Sequence, residues 1–139
     1  MLLSIWLLSA ILVQTPGAVQ PGLEPRSPLA GVWLVQELDG IAVMPHTRVT
    51  IEFQESRVRG FASCNSYSAS FSVSGTKVQV SELLTTMMAC DGAVMSQERD
   101  FKELLPSVVR YELRSDDTVV LTTDRGRTIR ARRQATSGL

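Results

Sequence analysis

Short segments in which apolar and polar residues alternate recur along most of this 139-residue chain. In RVTIEF, residues 48–53, the side chains of Val49, Ile51 and Phe53 share one face, and polar or charged residues occupy the other. Such alternation is typical of a strand with one buried face, because successive side chains of a strand point to opposite sides. The same pattern occurs in ASFSV (69–73), KVQV (77–80), YEL (111–113), TVVLT (118–122) and TIRAR (128–132).

Turn-forming residues stand where these strand patterns stop. Asp39-Gly40, Ser74-Gly75 and Arg125-Gly126 are examples, and all of them lie in short connections. Short connections join antiparallel neighbours, because parallel strands need a long crossover. The sequence therefore predicts an antiparallel sheet.

One segment, DGAVMSQERDFKELLP (91–106), follows a helical period instead. Val94, Phe101, Leu104 and Leu105 form one apolar stripe, which must be buried against another element. We expect Asp91 at the start of this helix and Pro106 at its end. On the water-facing side, the spacing favours ion pairs of Glu98 with Lys102 and of Arg99 with Glu103. The predicted fold class is α+β, with a curved, mostly antiparallel sheet or half-barrel covered by one amphipathic helix.

The N-terminal segment reads as a targeting signal. LLSIWLLSAILV (2–13) is apolar and uncharged, and it is followed by a breaker and small residues suited to signal peptidase. We expect a signal peptide over 1–18, a proline-rich linker over 19–30, the folded domain over 31–133 and a flexible tail over 134–139. The expected location is periplasmic or secreted. The alternative is an uncleaved anchor, the one case in which we expect membrane association.

Charge is balanced overall but unevenly placed. The chain has 14 basic and 14 acidic residues, so its composition gives no reason to expect a nucleic acid partner. Arginines are concentrated near the C-terminus, where we expect them to protect the solvated edge of a sheet. They are Arg125, Arg127, Arg130, Arg132 and Arg133.

The chain has two cysteines, Cys64 and Cys90. In an exported protein the simplest expectation is a disulfide between them, which would add roughly 3 to 4 kcal/mol of stability. Two alternatives stay open: buried free thiols acting as small hydrophobic residues, and a redox or nucleophilic site. A reactive thiol normally needs a base or a metal, and nothing in the sequence brings the only histidine, His46, to either cysteine. We expect no catalytic residue, no metal site and no cofactor.

A strand through RVRGFASC (57–64) would leave room above Gly60 and Ala62. Interiors are closely packed, so we expect LLTTMMAC (83–90) to fill that room, with at least one of Met87 and Met88 in the core. Asn65 is expected to shape a turn or to satisfy a nearby backbone amide.

Two motifs together resemble those of the META domain family, which includes HslJ-like bacterial heat-shock proteins. The first, in GFASCNSYSASF, falls on Cys64, Asn65 and Tyr67; the second, in TTMMAC, falls on Thr86, Met88 and Cys90. The resemblance begins at GVWLVQELDG and reaches the last predicted strand. Ser63 and Ala69 stand where many relatives have glycine, and Ser66 stands where some have arginine, so the local turn here is expected to differ.

The resemblance implies a fold more than an activity. META domains resemble the lipid-binding pilot proteins of secretion systems, and some bacterial members are linked to heat stress and novobiocin resistance. We therefore expect a non-enzymatic extracytoplasmic module for binding or envelope stress, holding an apolar ligand or a protein partner between helix and sheet. The alternative is a small secreted hydrolase, although the sequence contains no nucleophile elbow, metal cluster or phosphate loop.

Overall fold

A computed structural model describes residues 26–135, in which ten strands and one α-helix are found. The predicted signal peptide and most of the predicted linker lie outside these residues. The first seven strands are β1 (Gly31–Leu38), β2 (Ile41–Ala42), β3 (Thr50–Gln54), β4 (Arg57–Phe61), β5 (Ser66–Ser74), β6 (Lys77–Val80) and β7 (Leu84–Thr85). Helix α1 (Gly92–Leu104) and a 3₁₀ turn (Leu105–Ser107) follow, and then β8 (Val108–Leu113), β9 (Thr118–Thr123) and β10 (Thr128–Arg133).

Eight of the strands form a closed antiparallel barrel in the order β1-β3-β4-β5-β6-β8-β9-β10. Closure comes from β10, which pairs with β1 from Trp33 opposite Arg133 to Leu38 opposite Ile129. The short strands β2 and β7 add to β1 and β5. The prediction of an α+β fold with one helix is confirmed, but the sheet is more closed than the half-barrel expected from the sequence.

The barrel is weakest between β6 and β8. These strands share a single residue pair, Lys77 opposite Arg110, whereas β6 pairs with β5 over four residues. The 3₁₀ turn that follows α1 brings Pro106 to this opening.

Large side chains fill the interior of the barrel. Val49, Ile51 and Phe53 are buried as their alternation predicts, and Trp33 is fully buried among them. The alternation is less well obeyed in β8, where Tyr111 is half-buried and Leu113 is exposed.

Helix α1 begins and ends close to the predicted positions. Asp91 occupies the N-cap position, although its side chain makes no capping hydrogen bond, and Pro106 lies in the 3₁₀ turn that ends the helix. The stripe residues Phe101, Leu104 and Leu105 are fully buried. No helix within residues 26–135 is long and apolar enough to cross a membrane.

The C-terminal arginines do not lie on a free sheet edge, so that prediction was wrong. Because the barrel is closed, β10 has β1 on one side and β9 on the other. Arg130 makes an ion pair with Glu37 on β1 at 2.7 Å. The guanidinium of Arg133 stacks 4.2 Å above the ring of Trp33 and donates hydrogen bonds to the carbonyls of Pro28 and Ala30.

The chain preceding β1 packs onto the same end of the barrel. Leu29, which lies upstream of the predicted domain start at Gly31, is fully buried. Its carbonyl accepts a hydrogen bond of 2.8 Å from the indole nitrogen of Trp33. The packed unit therefore includes residues that the sequence assigned to the linker.

Candidate functional site

The two cysteines form a disulfide that ties the turn after β4 to the end of the extended segment that leads into α1. The sulfurs of Cys64 and Cys90 are 2.01 Å apart and the Cα atoms 6.1 Å apart. This confirms the predicted bridge. Neither cysteine is then a thiol, so neither alternative to the bridge, free buried thiols or a thiol nucleophile, holds in this structure.

Asn65 joins three parts of the chain through its side-chain amide. Its Oδ1 accepts hydrogen bonds from the backbone N–H of Met88 at 2.6 Å and from the hydroxyl of Thr86 at 2.9 Å. Its Nδ2 donates to the carbonyl of Met88 at 3.1 Å and to Oε2 of Glu98 at 2.8 Å. These four bonds use both acceptor positions and both donors of the amide. Asn65 therefore binds the backbone of Met88 much as a neighbouring strand would.

Glu98 is buried beneath this turn, with 1% of its surface exposed. Besides the amide of Asn65, its carboxylate accepts the backbone N–H groups of Asn65 at 2.6 Å and of Cys64 at 3.3 Å. The predicted surface ion pair with Lys102 was wrong. Glu98 lies four residues after Val94 and three before Phe101, so the helical period itself places it on the buried stripe.

The second predicted helix ion pair, Arg99 with Glu103, is also absent among the ion pairs of residues 26–135. Glu103 instead lies 3.3 Å from Arg127, which also contacts Asp39 at 3.0 Å. The sequence gives no local signal for this pair, because Arg127 lies on a different part of the chain.

Gln97, which the sequence analysis did not single out, makes a second buried link beside Glu98. Its Oε1 accepts the backbone N–H of Met44 at 2.7 Å, and its Nε2 donates to the hydroxyls of Thr47 and Ser63, each at 2.9 Å. Ser63 has a positive φ of 109°. Its position thus requires the backbone conformation that glycine adopts most easily, and a serine occupies it here.

Tyr67 points into the barrel from β5. Its hydroxyl donates to the carbonyl of Thr50 at 2.8 Å, and its ring packs edge-on against Phe101 at 5.2 Å between centroids. Burial raises the pKa of Tyr67 well above its usual value, because the phenolate would lose its hydration. Tyr67 therefore connects the first motif directly to the helix.

The prediction that residues 83–90 fill the space above Gly60 was wrong. The backbone oxygen and hydroxyl of Thr50, on the adjacent strand β3, lie where a Cβ on Gly60 would be. The hydroxyl of Thr50 accepts the N–H of Phe61 at 3.0 Å. Gly60 is therefore a point of close approach between chain segments, and Thr50 leaves no room there for the segment at 83–90.

The two methionines point outward, contrary to the prediction that at least one packs in the core. Met87 is 94% exposed and Met88 is 61% exposed. The backbone of Met88 faces the protein because Asn65 binds both its N–H and its carbonyl. Its side chain is therefore left on the solvent side.

We call the contacts among the turn at Cys64 and Asn65, the segment at Thr86 to Cys90, and Glu98 of α1 the junction. The polar side chains of this junction are hydrogen-bonded to one another or to the backbone. In the part of the chain that the structure describes, every buried side-chain nitrogen or oxygen has a hydrogen-bond partner. Within the same residues, no group of three or more His, Cys, Asp and Glu could hold a metal ion. His46, which nothing in the sequence placed near either cysteine, is exposed in a turn and has a positive φ of 65°.

The fold and the junction define a class of protein: a small α+β barrel in which one helix is tied to a hairpin by a disulfide, an asparagine and a buried glutamate. A sequence model of the META domain matches residues 27–136. The chain therefore belongs to the META domain family, as its two motifs suggested.

Solved structures agree on the fold. A protein from Burkholderia xenovorans, determined by NMR, is similar with a TM-score of 0.64 and 21% identity, over 88% of this chain and 99% of that one. A second NMR structure has a TM-score of 0.58 and 18% identity, over 73% of this chain and 88% of its own. At these identities the likeness shows the fold alone. No curated protein matches the chain.

Proposed function

We propose that this META domain is an exported, non-enzymatic binding module whose partner is a protein. The observation that carries the proposal is a group of exposed apolar side chains on β4 and on residues 84–88, a segment whose backbone is held by Asn65. We call this group the apolar strip: Phe61, Leu84, Met87 and Met88 are 52%, 74%, 94% and 61% exposed. Exposed apolar side chains that lie together on a surface are typical of interaction sites.

The sheet register places two members of the strip, Phe61 and Leu84, on one outer face. Phe61 pairs with Ser66, whose N–H and carbonyl are bonded to Thr86, and Leu84 pairs with the nearby Ser68. Residues paired across strands point to the same face of a sheet. Phe61 and Leu84 therefore flank β5 from its two sides. Met87 and Met88 follow Leu84 along the chain.

The disulfide and Asn65 hold this segment in place before any partner arrives. A rigid backbone loses less conformational entropy on binding than a mobile one, so more of the contact energy appears as affinity. Methionine side chains remain adaptable on such a support and can fit varied apolar surfaces.

The packed interior favours a protein partner on the outside over an apolar ligand between helix and sheet. Phe101, Leu104 and Leu105 fill that space and are at most 1% exposed. A ligand there would have to displace closely packed side chains, which costs several kcal/mol. For the alternative of a secreted hydrolase, the junction offers no support, because its hydroxyl, amide and carboxylate groups bond one another.

Site-specific photocrosslinking in the native host tests the proposal. A photoreactive residue at Met87 is expected to give one crosslinked protein of discrete mass, and Leu84→Ser should weaken that product. The matched control is Ser115, which is exposed in the turn between β8 and β9. Equal products at both positions, or crosslinks to lipid alone at Met87, would contradict a protein partner for the strip.

Export is the second part of the proposal. The disulfide supports it, because such bonds persist in oxidising compartments. Fractionation followed by intact mass measurement should find the protein outside the cytoplasm, cleaved near Ala18 and two hydrogens lighter than its reduced form. A cytoplasmic protein with two alkylatable thiols would contradict export. We also propose that the protein acts in envelope stress, and we therefore expect a deletion strain to grow poorly under heat and to recover with the wild-type chain.

A further inference from the structure

The opening between β6 and β8 exposes a strand edge beside an apolar groove. The groove has a volume of about 520 Å³ and is walled by Phe71, Val78 and Val80 on one side and by Pro106, Val108 and Val109 on the other. It lies where β6 and β8 separate after their single residue pair.

Backbone groups of β6 point into this groove. The N–H of Ser81 donates to the carbonyl of Ser70 on β5 at 2.9 Å, so Ser81 is bonded toward β5. Neighbouring residues of an antiparallel strand direct their N–H and carbonyl groups to opposite sides. Val80 therefore directs its N–H and carbonyl away from β5, toward the groove. Within residues 26–135 no strand pairs with this edge at Val80.

The two ends of this edge differ in charge. At one end, the exposed Lys77 and Arg110 are directly opposite each other, an unfavourable like-charge pair. Neither has an acidic side chain within 4.0 Å among the ion pairs of the described chain. At the other end is a smaller hollow of about 310 Å³, which shares Pro106 with the groove and whose lining carries both signs of charge: Glu82 and Glu103 with Lys102.

The direction of a strand added here follows from these charges. A segment antiparallel to β6 would have its N-terminal side near Glu82 and its C-terminal side near Lys77 and Arg110. It would have to end there, because β8 already occupies the edge of β6 at Lys77. A terminal carboxylate at that point would lie beside two cations that lack an acidic partner.

We propose that this groove binds the extended C-terminal segment of a partner protein as an added strand. Main-chain hydrogen bonds to β6 hold the segment, alternate apolar side chains enter the groove, and the free carboxylate contacts Lys77 and Arg110. The proposal rests on the chain being a binding module for proteins, but it uses a surface separate from the apolar strip.

Synthetic peptides test the groove directly. The probe is a fluorescent peptide of about six residues with alternating Val and Thr, made with either a free C-terminal carboxylate or a C-terminal amide. The acid form is expected to bind the full domain at least about tenfold more tightly than the amide form. N-methylation of the peptide amides that face β6 should abolish binding, whereas methylation of the alternate amides should leave it intact.

Variants of the domain test whether Lys77 and Arg110 bind the C-terminal carboxylate of the peptide. The double change Lys77→Gln and Arg110→Gln should bring the acid and amide forms to equal affinity while main-chain binding persists. The matched control Arg125→Gln, in the turn between β9 and β10, should keep the preference for the acid.

Three results would overturn the proposal. They are equal binding of acid and amide by the wild-type domain, no binding of either peptide at about millimolar concentration, and displacement of the peptide by palmitate bound more tightly in the groove. The crosslinking at Met87 is independent of these measurements. If the peptides do not bind but Met87 still crosslinks to a protein, only the proposal for the groove is wrong. If the peptides bind but Met87 gives no crosslinked protein, only the proposal for the apolar strip is wrong.

Discussion

Glu98 belongs to a charged residue type that is normally exposed, but in this protein it is buried and has a structural role. A glutamate on a helix is usually solvated, yet Glu98 is buried and its carboxylate accepts three N–H groups from Cys64 and Asn65. Donors of this kind satisfy a buried carboxylate without a cation. The side chain thereby fixes the position of the helix relative to the turn after β4.

Replacing this carboxylate should destabilise the domain. In Glu98→Gln, one of the two oxygens becomes an NH₂ group, so at least one of the three N–H donors from Cys64 and Asn65 loses its acceptor. We therefore expect the free energy of unfolding to fall by about 2 kcal/mol. The measurement is urea unfolding of the oxidised protein. The control Glu103→Gln removes an exposed ion pair with Arg127 and should cost less than about 0.5 kcal/mol. Equal losses in the two variants would show that the buried bonds add nothing.

At the scale of elements, the local patterns of the sequence predicted most strands and the helix. Alternation at Val49, Ile51 and Phe53 and the stripe ending at Leu105 depend only on neighbouring residues, so they could be recognised without a structure. The pairing of β1 with β10 depends on residues distant in sequence, and it turned a predicted edge strand into an interior one. The outward direction of Met88 was likewise set by Asn65, not by any pattern in its own segment.

The disulfide connects the turn after β4 to the segment before α1. Its loss should therefore lower the stability of the whole domain and also increase local opening of that segment. Cys64 and Cys90 are separated by 26 residues. Reduction, or the double change Cys64→Ser and Cys90→Ser, is expected to lower the free energy of unfolding by about 2 to 4 kcal/mol. Hydrogen exchange should then accelerate most at residues 84–90, with β1 and β10 less affected. An unchanged unfolding midpoint after reduction would show that Asn65 alone holds the segment.

At the scale of the whole molecule, the barrel is a filled interior closed by its first and last strands. Trp33, Phe53, Tyr67 and Phe101 are all at most 4% exposed. A charge that forms in this interior is poorly solvated, so ionisation there is coupled to unfolding.

Stability should therefore decline at alkaline pH through Tyr67. An unfolded tyrosine ionises near pH 10, and burial raises the pKa of Tyr67 in the folded state. The contribution of Tyr67 is fully present below about pH 10 and is lost progressively above it, because only the unfolded chain releases the proton. We expect the difference in unfolding free energy between the wild-type protein and Tyr67→Phe to decrease as the pH rises from about 8 to about 11. Phenolate absorbance from Tyr67 in the folded protein near pH 10 would contradict this.

The pairing of β1 with β10 also sets an order of folding events during synthesis. A chain that emerges N-terminus first cannot complete the barrel until Arg133 has appeared, since that residue pairs with Trp33. Hairpins such as β3 with β4 need only neighbouring residues and can form far sooner. Until the last strand is available, the edge of β1 that β10 will cover can pair with other chains. A chaperone that binds the unfinished barrel would prevent aggregation mainly in that interval.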